Sequence, residues 1–225
     1  MNSFQRARTE EQREARRRSI LETAATMLSE MPVQALSLNE LSRRVGLAKV
    51  NVTRYFESRE AVLLELLGSL TRDFLTEVVD QLPDCIDRTG PATARAEAVA
   101  SGLATSFASR EMLCELLSAQ PGILEHNIST ELAATFKRAA YEGLAGLARM
   151  LRKALPELGD REAAEAASMT IVLVGALWTR SHPAEAVRAA YADDPGLEFI
   201  PMPFAATLER AIAVYLTGLL AQAAR

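Results

Sequence analysis

The stretch that most limits the fold is LSRRVGLAKVNVTRYFESRE, residues 41–60. Two helical patterns, each about two turns long, meet there at Gly46, and a new helix start follows at Ser58. Helices this short are marginal alone in water, so they must pack on neighbouring helices. Two short helices joined by a tight, glycine-containing turn are typical of a helix-turn-helix unit. The sequence therefore predicts a small helical head built around this turn.

Local end signals define the helices of this head. Ser37 and Glu40 have the spacing of a capping box, in which the serine caps the backbone and the glutamate reaches back, and Gly46 is suited to end the helix that follows. A first helix is predicted over 13–30, and a third over 49–55 with Val52 and Phe56 turned inward. A fourth, capped by Ser58, is predicted to end near residue 83.

The rest of the chain also has a helical pattern. Alanine and leucine dominate, aromatic residues make up 5%, and there are 11 glycines. Apolar periodicity and prolines predict further helices over 92–107, 110–118, 128–154, 160–180, 184–191 and 204–223. We therefore expect an all-α fold, with a three-helix head over residues 1–56 and a larger helical body over residues 57–225.

The charge distribution favours a polyanionic partner for the head. The formal net charge is −4, but residues 1–59 hold eleven Lys/Arg against seven Asp/Glu, a balance of +4. The remaining residues hold fourteen against twenty-two, a balance of −8. A basic head on an acidic body can dock on a polyanion by one end.

The outer face of the predicted third helix carries residue types that can pair with DNA bases. If Val52 and Phe56 face inward, Lys49, Val50, Asn51, Thr53 and Arg54 are left outside. Asparagine pairs with adenine edges and lysine or arginine with guanine, while Val50 or the Thr53 methyl can contact thymine. Tyr55 and Arg59 lie where hydroxyl and guanidinium groups can hold phosphates. The alternative, a solvated charged face on a structural three-helix unit, uses the same residues.

At these residues the chain resembles the TetR family of bacterial transcriptional regulators. The resemblance covers roughly residues 19–67, including LSLNELSRRVGLAKVNVTRYFESREAVLLELL. It implies that Ser37 and Asn39, at the start of the second helix, touch the DNA backbone, and that the third helix is the recognition helix. It also implies a homodimer that binds a palindromic double-stranded operator, acts as a repressor, and is released by a small-molecule effector.

Two departures from the family pattern affect the expected DNA contacts. Ala48 stands where many relatives have serine or threonine, so a helix cap and a phosphate contact are lost. Thr53 stands where a larger aromatic residue is common, which weakens the backbone contact expected there. For the amino-terminal arginines two interpretations stay open: an arm along the DNA backbone or minor groove, or a disordered tail and a solvated helix start. The arginines are Arg6, Arg8, Arg13, Arg16, Arg17 and Arg18.

The resemblance implies a ligand-binding, dimerising body, for which residue patterns supply candidates. Aromatic or adaptable side chains that suit an apolar or aromatic ligand are Phe107, Met112, Phe136, Tyr141, Met169 and Trp178. The last two long helices carry candidates for a dimeric four-helix bundle: Leu173, Leu177, Leu208, Ile212, Tyr215 and Leu219. The alternative for both sets is that they face only their own core.

Other classes of protein are less favoured. A helical enzyme would need a nucleophile with its base, paired acids or a cofactor loop, and no such motif is present. We therefore expect no catalysis, no cofactor and no metal. A helical interaction module without sequence-specific DNA binding stays the alternative. Cys85 and Cys114 fit buried thiols in a reducing compartment, and the chain shows no secretory leader and no membrane span, so a cytoplasmic protein is expected.

Overall fold

The computed structural model describes residues 3–197 and 202–223, and the side chains of residues 3–9 and of Cys85 lie outside that description. Within these residues the chain forms α-helices, short 3-10 turns and no strand, so the all-α prediction is confirmed. The helices are α1 Ser3–Glu30, α2 Leu38–Val45, α3 Lys49–Val52, α4 Arg59–Gln81, α5 Ala92–Ala108, α6 Glu111–Leu124, α7 Thr130–Ala154, α8 Asp160–Ser181, α9 Glu185–Asp193 and α10 Phe204–Ala223.

Three helices differ in extent from the prediction. α1 begins at Ser3 rather than at residue 13, so the polar, arginine-rich start of the chain is helical. α3 ends at Val52, and Thr53–Tyr55 form a turn instead of its last turn. α6 continues through Pro121 to Leu124, although the proline was expected to end it by residue 118. An internal proline removes one backbone hydrogen bond but need not end a helix that is held by packing.

The chain forms two compact units, of which the first comprises residues 1–69 and 120–137. In this unit α1 packs on α2, and α2 packs on α3. The shared core contains large apolar side chains that are at most 2% exposed: Ile20, Met27, Val33, Leu36, Leu41, Val52, Phe56, Val62 and Leu63. The backbone N–H of Ser129 donates to Glu57 Oε1 at 2.8 Å, which ties the 120–137 segment to the loop before α4.

The second unit comprises residues 70–119 and 138–225. Here α10 packs along α5 and α8, and the rings of Phe74 on α4 and Phe107 on α5 lie 4.3 Å apart. Arg95 is 8% exposed and donates to the carbonyl of Ala154 at 2.8 Å. It also pairs with Glu157, whose pKa this hydrogen bond lowers. The start of α5 is thereby joined to the end of α7.

The thiol of Cys114 is part of this second core. It is fully buried and donates to the carbonyl of Phe107 at 3.3 Å. Burial raises its pKa to about 12, so the thiol stays protonated at neutral pH. The prediction of a buried core thiol is confirmed for Cys114.

Candidate nucleic-acid interface

The helix-turn-helix is built by local signals at both helix ends. The hydroxyl of Ser37 accepts from the backbone N–H of Glu40 at 3.2 Å, which caps α2. Gly46 ends α2 with φ +74°, a left-handed conformation that favours glycine. Ala48 precedes α3 in an extended conformation without a side-chain cap. The predicted Ser37 cap, Gly46 stop and missing cap at Ala48 are all confirmed.

One half of the predicted capping box is wrong. Glu40 does not reach back to Ser37, because its carboxylate accepts from Arg43 at 2.6 and 2.9 Å and from Arg44 at 3.0 Å. Hydrogen bonds from these two guanidinium groups lower the pKa of Glu40 to about 2. Arg44 also pairs with Glu30 at the end of α1. Both arginines of the SRR sequence are therefore neutralised within the head.

The recognition segment, which we define as residues 49–55, is held by its inner face. Val52 is fully buried, and Phe56, just beyond the segment, is 2% exposed. Lys49, Val50, Thr53 and Arg54 are exposed, Val50 by 62%, while Asn51 and Tyr55 are half-buried. The Thr53 hydroxyl donates to the Val50 carbonyl at 3.1 Å, so its proton is used within the segment. Ser37 and Asn39 are exposed at the start of α2.

Arg59 has internal partners that its position in the sequence did not suggest. Its guanidinium donates to the carbonyl of Leu36 at 2.6 Å, to that of Val33, and to Glu60 at 3.1 Å. These bonds fasten the start of α4 to the loop before α2, so Arg59 has a structural role in the head. Its contact with a DNA phosphate stays a prediction.

Arg17 is a positioning residue that sequence reasoning missed. It pairs with Glu65 on α4, with Nε to Oε1 at 2.6 Å, and this hydrogen bond raises its pKa. It also donates to the carbonyl of Tyr55 at 3.1 Å and lies 4.7 Å from the centre of the Phe56 ring. One side chain thus connects α1, α4 and the end of the recognition segment. Its partners are 38 to 48 residues away, so no local pattern reveals them.

The basic residues of the head therefore fall into two sets. Arg17, Arg43, Arg44 and Arg59 each pair with a carboxylate. Across the described side chains, no ion pair is formed by Arg13, Arg16, Arg18, Lys49 or Arg54. An unpaired guanidinium or ammonium retains its charge for an external anion such as a phosphate.

The six predicted pocket residues lie in different environments. Phe107 is fully buried against Phe74, and Met112 and Phe136 are half-buried. Tyr141 is 74% and Met169 36% exposed. Trp178, 6% exposed, donates through Nε1 to Glu115 at 2.8 Å and packs its ring edge-on against Phe204 at 5.0 Å. The role of the six residues in binding a ligand stays a prediction.

The predicted dimer residues are also divided by their burial. Leu177, Leu208, Ile212 and Leu219 are 0 to 8% exposed within a single chain and have almost no area left for a partner. Leu173 and Tyr215 are half-buried. The apolar side chains that project outward from the same two helices are others: Met169 and Val172 on α8, and Val214 on α10, the valines 62% and 67% exposed.

Among the described residues, no group of three or more His, Cys, Asp or Glu could hold a metal ion. What the first unit offers instead is a short helix with an anchored inner face and exposed polar and basic groups outside, beside a capped partner helix. Together with a larger helical unit, this arrangement defines the class of helix-turn-helix regulators.

Comparison with known proteins identifies the family. Residues 20–66 match the family described as "Bacterial regulatory proteins, tetR family", and residues 69–223 match "Tetracyclin repressor-like, C-terminal domain". The chain belongs to the TetR family of bacterial transcriptional regulators. No curated protein matches it significantly.

Several solved structures share the fold. A transcriptional regulator from Rhodococcus sp. Rha1 is 18% identical with a TM-score of 0.54, covering 93% of this chain and 96% of its own. The fatty acid degradation regulator FadR from Bacillus halodurans is 16% identical with a TM-score of 0.56, covering 91% and 96%. The repressor AlkX from Dietzia, implicated in n-alkane biodegradation, is 20% identical with a TM-score of 0.50, also covering 91% and 96%. At these identities the similarity concerns the fold.

Proposed function

We propose that the protein is a transcriptional repressor that binds a palindromic operator as a homodimer and is released by a small apolar or aromatic ligand. Residues 1–56 are the DNA-binding domain, and residues 57–225 bind the effector and dimerise. The observation that carries the proposal is the recognition segment itself. Val52 holds it to the core, while Lys49, Val50 and Arg54 project outward.

The proposed contacts divide into base and phosphate contacts. Asn51 and Arg54 present the amide and guanidinium groups that pair with adenine and guanine edges, and Val50 or the Thr53 methyl contacts thymine. Lys49, which forms no ion pair with a described side chain, carries a further positive charge. Ser37, Asn39, Tyr55 and Arg59 are the proposed backbone contacts, which fix the register but do not read sequence. The Ser37 hydroxyl oxygen accepts within the α2 cap, so its proton is available for a phosphate oxygen.

Dimerisation supplies the spacing between two recognition segments. We propose that the outward faces of α8 and α10 form a four-helix bundle with a second copy, with Val172 and Val214 central and Leu173 and Tyr215 at their sides. A two-fold dimer reads two half-sites about 34 Å apart, one turn of DNA. An effector that binds better to a dimer with another spacing releases the operator, and the extent of release depends on this difference in affinity.

Selection from a random pool of duplexes tests this function. The full-length protein should enrich a palindromic sequence, with binding that weakens steeply as salt increases. A screen of small molecules against the enriched duplex should then find apolar or aromatic compounds that release it. If the protein binds no duplex even in dilute salt, or enriches no sequence, the alternative of a helical interaction module is favoured.

A further inference from the structure

A groove in the first unit lies between α1 and the end of the recognition segment. Its volume is about 910 Å³, and its polar lining comprises Gln12, Arg13, Arg16, Ser19, Arg54 and Tyr55. The first four belong to α1 and the last two to the recognition segment. The exposed end of the recognition segment is thus continuous with a surface of α1, which is distant from it in the sequence.

The groove has the charge of an anion site. Three guanidinium groups line it, together with an amide and two hydroxyls, and no carboxylate does. Glu10, Glu11 and Glu14 are also on α1 but are not part of the lining. Across the described side chains Arg13, Arg16 and Arg54 form no ion pair, whereas Arg17, one residue along, pairs with Glu65. Guanidinium groups that line one groove without an ion pair suit the oxygens of a phosphate.

The helix that carries these arginines is fastened to the same core as the recognition segment. Ile20, Ala24 and Met27 of α1 are fully buried, and Arg17 joins α1 to Glu65 and to the carbonyl of Tyr55. Arg13 and Arg16 are therefore presented from an anchored helix. Backbone ordering on binding should cost little, because the helix is already formed.

We propose that this groove holds a backbone phosphate of the operator, so that α1, through Arg13 and Arg16, is a third DNA-contacting element beside α2 and the recognition segment. The inference rests on the proposed DNA-binding function and makes it more specific. Of the amino-terminal arginines with described side chains, it assigns Arg13 and Arg16 to DNA and excludes Arg17, which is held by Glu65, and Arg18, which does not line the groove. The side chains of Arg6 and Arg8 lie outside the described residues.

Salt dependence of binding tests the groove, with the full-length protein and the duplex it selects. Arg13→Gln and Arg16→Gln each remove one guanidinium from the lining. Arg18→Gln removes the same charge from the same helix outside it and is the matched control. Each substitution removes one of the charges that neutralise the phosphate, so the slope of log K against log salt should fall by up to about 0.9 for each phosphate contact that is lost. Affinity near 0.1 M salt then falls about eightfold per contact.

The outcomes separate this inference from the proposed function. We expect both groove variants to lose affinity equally for selected and random duplexes, with the selected sequence and the thermal unfolding temperature unchanged, and Arg18→Gln to bind like the wild type. Groove variants that match Arg18→Gln, whether all three bind normally or all three weaken alike, would overturn the assignment of the groove. A wild-type protein that binds no duplex would instead overturn the proposed function.

Discussion

At the scale of single residues, the partner of each arginine decides what that arginine can do. The basic side chains of the head have quite different surroundings. Arg43 and Arg44 are held by Glu40, and Arg17 is held by Glu65. Arg54 forms no ion pair with any described side chain. Local charge density therefore does not measure how much charge is available to DNA.

Asn51 belongs to the base-reading set, and its loss should change which sequences are bound. Asn51→Ala should remove about 1–3 kcal/mol of preference at one base pair of each half-site. The salt slope should stay the same, because the amide is uncharged. The measurement is competition binding against duplexes with every single-base change. Gln81→Ala, an exposed amide of the second unit, is the control and should leave the profile unaltered; an unchanged profile for Asn51→Ala would remove Asn51 from the base contacts.

Glu40 makes part of the stability of the head depend on pH. Its pKa falls from 4.5 to about 2 in the folded protein because Arg43 and Arg44 donate to the carboxylate. A carboxyl whose pKa is lower in the folded state stabilises the fold above its unfolded pKa and loses that contribution as the pH falls towards 2. The wild type should therefore be more stable than Glu40→Gln at pH 6, and the difference should shrink between pH 5 and 2.

Urea unfolding at steps of pH, without DNA, measures this difference. The midpoints of the wild type and of Glu40→Gln should approach each other in the acid range. Arg43→Gln removes one of the two donors to Glu40. In a protein with this substitution, the pH-dependent difference in stability caused by Glu40→Gln should therefore be smaller. Parallel curves for the wild type and Glu40→Gln over the whole range would contradict the role of the ion pairs.

At the scale of helices, close packing sets limits that helix-forming tendency does not. In the second unit α8 approaches α6 so closely that a methyl group at Gly175 would lie 3.2 Å from the carbonyl oxygen of Leu117. This carbonyl has no donor four residues on, because Pro121 lacks an N–H. Gly175 thus lets α8 come close to α6 at the Leu117 carbonyl, which lacks its usual hydrogen-bond partner within the helix.

Substitution of this glycine should reverse the usual effect of alanine in a helix. Gly→Ala normally stabilises a helix interior by up to about 1 kcal/mol. At Gly175 the methyl group meets a backbone atom, and overpacking typically costs about 1–3 kcal/mol, so Gly175→Ala should lower the free energy of unfolding. Gly122→Ala in α6, where a methyl group meets nothing within 4 Å, is the control and should be neutral or stabilising. Urea unfolding checks both, and stabilisation by both would show that α6 and α8 can separate without cost.

At the scale of the whole molecule, the second unit leaves an apolar surface in a single chain. Within the described residues α10 is the helix long and apolar enough to cross a membrane by length and composition, with a mean hydropathy of 1.4, but one such helix is weak evidence for a span. Leu208, Ile212 and Leu216 bury one of its faces, while Val214 on the opposite face is 67% exposed. Exposed apolar faces of this kind on α8 and α10 fit an interface between two copies.

A charge on this surface should separate the copies and weaken operator binding. The double variant Val172→Glu/Val214→Glu places two like charges per chain in the proposed seam, so it should be monomeric at concentrations where the wild type is dimeric. Because the monomer no longer presents two linked recognition segments, operator affinity should fall at least about tenfold. Light scattering after gel filtration and operator titration are the measurements.

Val187→Glu is the control for this variant. Val187 is 40% exposed on α9, a helix without buried residues, and its substitution should leave mass and affinity unchanged. Surface substitutions of this kind typically alter stability by about 0.5 kcal/mol or less, so a helical spectrum like that of the wild type is expected for both variants. A double variant that stays dimeric and binds the operator normally would place the interface elsewhere.

The sequence by itself determined the features that depend on near neighbours in the chain. Ser37 caps α2, Gly46 ends it in a left-handed conformation, and Val52 and Phe56 face inward. Each follows from residues no more than about four positions apart, the range over which helix ends and apolar faces are defined. The helix-turn-helix, the all-α class and the family resemblance could therefore be inferred before the structure.

Only the tertiary structure decided which charges are paired and which apolar faces are buried within the chain. Glu65 holds Arg17 across 48 residues, and the carbonyl of Leu36 holds Arg59 across 23. Leu208 and Val214 lie on one apolar helix, yet the first is buried and the second exposed. Such pairings depend on the packing of segments that are distant in the sequence, and local periodicity does not predict them. For the same reason, Arg13 and Arg16 in the groove beside Arg54 became visible in the fold and not in the sequence.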